Sequence, residues 1–342
     1  MDSSAVKKVF KTVNFENIWI FITNKCNLNC DYCFFSDRKK DINLSFQSIL
    51  NLLELLPLNK KYCFVISGGE PLLSWQRAKR IITHLRRAYP KSSISLQTNI
   101  LLLSIEKIKF LKEKNVIVEP GIDGDFSVTS RHRRGLDKRG FQKCLQNIRL
   151  VVKYDLDLNP TMTVCPQEVE LMFENFKYLV NLGLNYIEVH PAFMADWTYQ
   201  KGKIFLQNYK KILDYNRVYK SKLVSKDYSK IIKKSIDLVI QPDGNILPNW
   251  TFLTFSQRLR RPFFIFQISK EKVKILKENM ISYLKKVDNF FMEKRSYRDF
   301  SNFNASLILA KQNNQKMKEK FKAYKDICIK IQKMDKIFTK NN

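Results

Sequence analysis

Six short apolar runs alternate with five longer amphipathic segments between residues 17 and 190. Runs rich in β-branched and aromatic residues predict strands, and apolar residues at helical spacing predict helices. The predicted strands cover 18–23, 62–66, 93–97, 116–122, 157–164 and 186–190, and the predicted helices cover 44–56, 75–89, 105–112, 141–153 and 167–182. Strands that alternate with helices are expected to be parallel and joined by crossovers. The pattern therefore predicts an α/β fold, either a flat doubly wound sheet or an open barrel.

Three cysteines follow the first predicted strand in the spacing C-x3-C-x2-C: Cys26, Cys30 and Cys33, with Tyr32 directly before the last. Closely spaced thiolates suit zinc or an iron–sulfur centre. A zinc loop usually has a fourth Cys or His, and no His is near in sequence. Polar residues between the cysteines argue against three core thiols, and a ferredoxin would need a fourth cysteine. The spacing thus favours a cluster with one iron left without a thiolate.

A second motif, Gly68-Gly69-Glu70, follows the second predicted strand. Glycines allow a close approach of backbone to a ligand, and a carboxylate suits an ammonium group. A tight turn would explain these residues equally well if they stood alone. Together with the cysteine loop, however, they resemble the radical S-adenosylmethionine (radical SAM) enzymes, and most closely the branch that modifies peptides and protein side chains, including anaerobic sulfatase maturases.

The resemblance implies a partial (βα)6 TIM-like barrel in which Cys26, Cys30 and Cys33 hold one 4Fe–4S cluster. It also implies reductive cleavage of S-adenosylmethionine (SAM) to a 5′-deoxyadenosyl radical, which takes a hydrogen atom from the substrate. The cofactor-binding residues that it implies are Tyr32, Gly68, Gly69, Glu70, Asn99, Gly121, Arg133 and Val189. A Ser is typical of the family at the position of Gly121, and Arg133 is the expected partner of the SAM carboxylate.

Two further side chains are candidates for the active site. Cys165 ends the fifth predicted strand, where a thiol could donate a hydrogen atom to a substrate radical; the alternative is a small buried core residue. His190 ends the sixth strand, where it either lines the cavity or has a structural role.

The remainder of the chain is expected to form a C-terminal extension. We predict an N-terminal arm over 1–15, the radical SAM core over 16–200 and the extension over 201–342. A helix over 205–219 and a hairpin over 237–249 are followed by lysine-rich helical sequence. The hairpin resembles the start of a SPASM or twitch domain, but Asn249 stands where a cysteine is expected and only Cys328 follows. We therefore expect a degenerate extension without an auxiliary cluster, and no leader-binding domain before the barrel.

Composition bears on partners and compartment. The 342 residues carry a formal net charge of +29, with 61 Lys and Arg against 32 Asp and Glu. This charge makes RNA modification an alternative function, although widely spread lysines favour generic basicity. A non-catalytic protein with a vestigial site is a further alternative. Without a signal peptide, a membrane span or a disulfide pattern, we expect a cytoplasmic enzyme whose partners are a peptide or protein substrate and an electron donor such as flavodoxin or ferredoxin.

Overall fold

The computed structural model describes residues 3–13, 15, 17–33, 35, 41–184, 186–192, 195–219, 237–248 and 264–276, together with 284, 326, 327, 330, 331 and 334. The helices are α1 (Ser3–Thr12), α2 (Phe46–Leu53), α3 (Trp75–Ala88), α4 (Ile105–Glu113), α5 (Phe126–His132), α6 (Lys138–Lys153), α7 (Met172–Asn181) and α8 (Tyr199–Tyr219). The strands are β1 (Asn17–Phe21), β2 (Asn29–Cys30), β3 (Cys63–Ser67), β4 (Ser93–Thr98), β5 (Val116–Pro120), β6 (Arg133–Arg134), β7 (Thr161–Val164), β8 (Glu188–Pro191), β9 (Leu238–Ile240), β10 (Asn245–Leu247), β11 (Phe266–Ile268) and β12 (Val273–Ile275).

Parallel strands form the centre of the fold. β1, β3, β4 and β5 pair in parallel and in this order. Parallel bridges from Val118 to Leu158 and from Gly121 to Thr161 lead from β5 to β7, which pairs in parallel with β8. The order β1-β3-β4-β5-β7-β8 is that of an open barrel, so the predicted α/β fold with parallel strands is confirmed.

The two faces of this sheet differ in chemistry. Alternate strand residues such as Ile20, Ile66, Leu96 and Val118 are buried in one large core with the apolar sides of the helices. Residues between them point to the opposite face, because successive side chains of a strand alternate. That second face forms the barrel interior, and the carboxyl ends of the strands open onto the site described below.

The predicted hairpin extends the same sheet. β9 pairs in parallel with β1, and β10, β11 and β12 follow in antiparallel order. Phe10 of α1 stacks on Phe266 of β11 at 5.4 Å between ring centroids, so the N-terminal segment is a packed helix at this edge. Strands beyond residue 200 therefore continue the central sheet, and the proposed boundary near residue 200 stays a prediction.

All six predicted strands and all five predicted helices of the barrel are present, with shifts of a few residues at their ends. The last of these helices begins as a 3₁₀ turn, Pro166–Leu171, before α7. The predictions for Asn249, Cys328 and the lysine-rich sequence after residue 276 fall almost wholly outside the described residues. No helix in the described part of the chain has the length and apolar character that a membrane crossing requires.

Candidate functional site

The cysteine loop lies at the carboxyl end of β1. Cys26, Cys30 and Cys33 are half-buried thiols that take part in no disulfide. The sulfur of Cys26 accepts a hydrogen bond from the backbone N–H of Leu28 at 3.5 Å, and Asn99 Nδ2 lies 3.9 Å from the same atom. Burial raises the pKa of Cys30 to about 11, although the positive charge of Arg133 acts in the opposite direction. The loop thus brings the three predicted ligands together, with donors directed at one sulfur.

The glycine motif holds this loop through its backbone. Gly69 N–H donates to the carbonyl of Thr23 at 2.8 Å, and Glu70 N–H donates to the carbonyl of Lys25 at 2.6 Å. A Cβ on Gly68 or Gly69 would lie under 3.0 Å from these backbone carbonyls, and Gly68 also has a φ of +141°. Only glycine allows this approach without displacement of backbone. The motif after β3 therefore fixes the residues that immediately precede Cys26.

Glu70 lies beneath the turn and is 1% exposed. Its carboxylate accepts hydrogen bonds from Leu72 N–H, the Thr98 hydroxyl and Asn99 N–H at 2.7–2.9 Å. Burial raises the pKa of Glu70 despite these three donors, which favour the charged form. The side chain thus ties the ends of β3 and β4 together, and its predicted role toward an amino group stays a prediction.

Asn99 connects the end of β4 to the cysteine loop. Its amide nitrogen donates to Asn27 Oδ1 at 2.7 Å, and its Oδ1 accepts from Leu101 N–H at 3.2 Å. Asn99 thus lies beside Cys26. Its contact with SAM stays a prediction.

Arg133 binds a carboxylate in the fork geometry that its residue type favours, but this carboxylate belongs to Asp123. Nε and Nη2 of Arg133 donate to the two oxygens of Asp123, each at 2.9 Å. The hydroxyl of Tyr32 donates to Asp123 at 2.5 Å, and Thr163 N–H donates at 3.0 Å. Burial is the largest single influence and lowers the pKa of Arg133, but the interactions with Asp123, Tyr32 and Cys30 together outweigh it, so the pKa is raised. For Tyr32, by contrast, burial is the largest cause of a raised pKa.

The same network packs against Gly121, which stands where the family typically has a serine. The guanidinium group of Arg133 covers Gly121, and a Cβ at that position would lie under 3.0 Å from its nitrogen atoms. Antiparallel pairing of β2 with β6 places Cys30 directly opposite Arg133. Tyr32, Gly121 and Arg133 thus meet at one point, while their roles toward SAM stay predictions.

Val189 is placed differently from the other candidates. It is 3% exposed and packs in the main core, on the opposite face of β8 from Glu188 and His190. Its role in binding a cofactor stays a prediction. His190 is half-buried and its ring contacts the Glu188 carboxylate at 3.1 Å.

The barrel interior has a polar side and an apolar side. On the polar side Ser67 Oγ donates to Gln97 Oε1 at 2.9 Å, and Gln97 Nε2 donates to Glu119 at 3.1 Å. Tyr186 and His190 both contact Glu188 in β8. The apolar side is a separate buried cluster of Phe21, Phe35, Val239, Leu247 and Phe264, against which Cys33 also packs.

Cys165 lies directly after β7 and is 5% exposed. Burial, assisted by nearby carboxylates, raises the pKa of its thiol. It lies close to His132 and Glu168. Its role as a hydrogen-atom donor is not tested by this position and stays a prediction.

Sequence reasoning did not select Asp123, His132 or Glu168 as site residues. Asp123 follows a predicted strand within the segment Gly-Ile-Asp-Gly. Its place at the end of that strand is the sequence feature that could have identified it as a site residue. His132 and Glu168 lie 36 residues apart and meet only in the fold.

Residues 20–189, about half of the chain, match the family model described as "Radical SAM superfamily". A cysteine-type anaerobic sulfatase-maturating enzyme of Clostridium novyi (strain NT) is 26% identical over 183 residues, covering 50% of this chain and 49% of that protein. The chain spans about half the length of the curated relatives that it matches.

Solved structures show the same fold. Native anSMEcpe with bound AdoMet and Cp18Cys peptide has a TM-score of 0.69 at 14% identity, covering 96% of this chain and 99% of that one. Streptococcus suis SuiB bound to precursor peptide SuiA has a TM-score of 0.55 at 14% identity, covering 87% of this chain and 69% of that one. The superfamily uses a 4Fe–4S cluster and SAM, the two predicted cofactors. The cysteine loop, the open barrel and the family match together show that this chain belongs to the radical SAM superfamily.

Proposed function

We propose that this protein is a radical SAM enzyme that modifies a peptide or protein side chain. The observation that carries the proposal is the attachment of the three-cysteine loop to the Gly68-Gly69 turn by backbone hydrogen bonds at the carboxyl edge of the parallel sheet. In barrels of this kind, the chemistry occurs at this edge.

The residues present fit a 4Fe–4S cluster held by Cys26, Cys30 and Cys33. The thiols are half-buried, and the Cys26 sulfur faces the N–H groups of Leu28 and Asn99. Hydrogen bonds to cluster sulfurs are one means by which proteins tune such centres. When bound, the cluster would supply the electron for reductive cleavage of SAM, and SAM would supply the radical chemistry that removes a hydrogen atom from the substrate.

The chain's own residues supply binding and orientation. The buried carboxylate of Glu70 accepts a hydrogen bond from Asn99 N–H and so holds the turn at Gly68 and Gly69 against the end of β4. Arg133 keeps its positive charge next to Cys30, where it favours an anionic ligand. The apolar cluster around Phe21 and Phe35 excludes water from one side of the interior, which protects a reactive intermediate.

A peptide substrate is supported by the relatives and by the polar side of the barrel. The anSMEcpe and SuiB structures each hold a peptide. In this chain Gln97, Glu119 and Glu188 line the interior, and their amide and carboxylate groups can accept hydrogen bonds from backbone or side-chain N–H groups of a peptide.

The direct test is oxygen-free purification, followed by iron and sulfide determination and measurement of 5′-deoxyadenosine formed with SAM and dithionite. We expect about four irons per chain and product formation in the wild-type protein. Cys26→Ala should lose both, because only two thiolates would remain on the loop. Cys63→Ala is the matched control, since that thiol is exposed at the start of β3.

Wild-type protein that lacks both cluster and product would refute the proposal, as would a Cys26→Ala variant that retains both. The substrate class has its own readout. Where a short precursor-peptide gene lies next to this one, incubation with its product should change the mass of that peptide. Cleavage of SAM without any change in the peptide's mass would still support a radical SAM enzyme. It would show that this peptide is not the substrate.

A further inference from the structure

A second group of potential metal ligands lies beside the cysteine loop. His132 ends α5, Cys165 follows β7, and Glu168 lies in the 3₁₀ turn before α7. A ring nitrogen, the sulfur and a carboxylate oxygen of these residues all lie within 4.8 Å of one another. Their exposed fractions are 8%, 5% and 4%. Three different elements therefore direct one donor each into a single buried volume.

His132 and Glu168 also contact further charged side chains, as metal ligands in proteins typically do. Nδ1 of His132 lies 3.6 Å from the carboxylate of Asp31, while Nε2 contacts Glu168. Arg131 donates to the other oxygen of Glu168 at 2.8 Å. In metal sites, a carboxylate behind the imidazole fixes its tautomer, and hydrogen bonds to a ligating carboxylate orient it.

The chemical types of the three donor groups favour zinc. Imidazole, thiolate and carboxylate together are ligands of Zn²⁺, which binds them at about 2.0–2.3 Å in a tetrahedral arrangement. Donor atoms at such distances lie about 3–4 Å apart, so zinc binding would draw the most distant donors of the group together and would separate the contacting His132 and Glu168 slightly. One thiolate and one carboxylate balance the two positive charges of the ion, which a buried site requires.

We propose that His132, Cys165 and Glu168 bind one zinc ion at a site separate from the cysteine loop. Within the described residues no fourth His, Cys, Asp or Glu joins this group, so one tetrahedral position is left for water or substrate. The proposal goes beyond the proposed function and does not depend on it. A zinc-bound thiolate carries no hydrogen atom, so this role and that of hydrogen donor exclude each other for Cys165.

The test uses the full chain purified without oxygen, reconstituted with iron and sulfide, and then dialysed against a small molar excess of zinc. We expect about one zinc per chain, with zinc X-ray absorption showing one sulfur at about 2.3 Å and nitrogen or oxygen at about 2.0 Å. Zinc bound on the cysteine loop would show three sulfur ligands instead. Iron content and 5′-deoxyadenosine formation are measured on the same sample, so failure of one proposal is distinguishable from failure of the other.

Cys165→Ser and Glu168→Gln should each lower zinc affinity by at least about ten-fold, while Cys63→Ala, which changes an exposed thiol elsewhere, should not. Circular dichroism reports whether each variant folds, and the wild-type absorption spectrum decides the question if one does not. Zinc with three sulfur ligands, zinc well below one per chain, or folded Cys165→Ser with unchanged affinity would overturn the proposal.

Discussion

At the scale of single residues, Asp123 organises more of the site than any cysteine does. Its buried carboxylate accepts hydrogen bonds from Tyr32, Arg133 and the backbone N–H of Thr163. It therefore connects the cysteine loop, β6 and β7. Removal of one partner from a buried charge pair leaves the other charge uncompensated, which costs far more than the pair contributes.

Asp123→Ala is therefore expected to lower the free energy of unfolding by about 3–5 kcal/mol, because Arg133 would remain buried and charged. Glu113→Gln is the control; it removes a largely exposed carboxylate from its contact with Lys114 and should cost less than about 1 kcal/mol. Urea titration of both variants measures the difference. Equal stability of the two would show that Asp123 does not compensate Arg133.

At the scale of elements, the turn after β3 acts on the loop after β1. Its two glycines bring two backbone segments into contact, and the hydrogen bonds from Gly69 and Glu70 fix the chain up to Lys25. The geometry of the first cysteine thus depends on a turn more than forty residues away in sequence.

Gly69→Ala should move this segment, because the added Cβ would meet backbone rather than a flexible side chain. We expect a loss of about 1–3 kcal/mol in stability and a lower iron content after reconstitution. Gly140→Ala in α6 is the matched control, since its Cβ would meet side-chain atoms of Asp137 and Leu136 at 3.0–3.1 Å and no backbone atom as close as those at Gly69. Full iron content and unchanged unfolding in Gly69→Ala would contradict this account.

Elements with strong local patterns could be predicted from sequence, and those defined by distant contacts could not. β4 matches its predicted run to within one residue because its alternation is local. β2 and β6 contain two residues each and exist only because they pair with each other. α5 has seven residues, including β-branched and polar ones, so its periodicity is too short to detect. The contact of Arg133 with Asp123 of the same chain could not be predicted from sequence, and its role toward the SAM carboxylate stays a prediction.

At the scale of the whole molecule, the dominant property is the net charge of +29. A field of this sign attracts polyanions without sequence preference. The charge therefore predicts weak, generic RNA binding, which would not require that RNA be the substrate.

We expect generic RNA to bind at about 50 mM salt and to lose at least about ten-fold in affinity by about 200 mM salt, because counterion release drives such binding. RNA should not increase 5′-deoxyadenosine formation. Fluorescence anisotropy and the cleavage assay measure the two effects. Salt-resistant binding together with stimulated cleavage would instead support RNA modification.

The antiparallel contact of Cys30 with Arg133 joins residues about a hundred positions apart. During synthesis, the cysteine loop emerges from the ribosome before β6, the strand that pairs with it, has been made. The pairing of Cys30 with Arg133 consequently cannot form until the chain has been synthesised past β6. We therefore expect cluster insertion to follow that point, and any metal that the N-terminal segment captured earlier would compete with correct assembly.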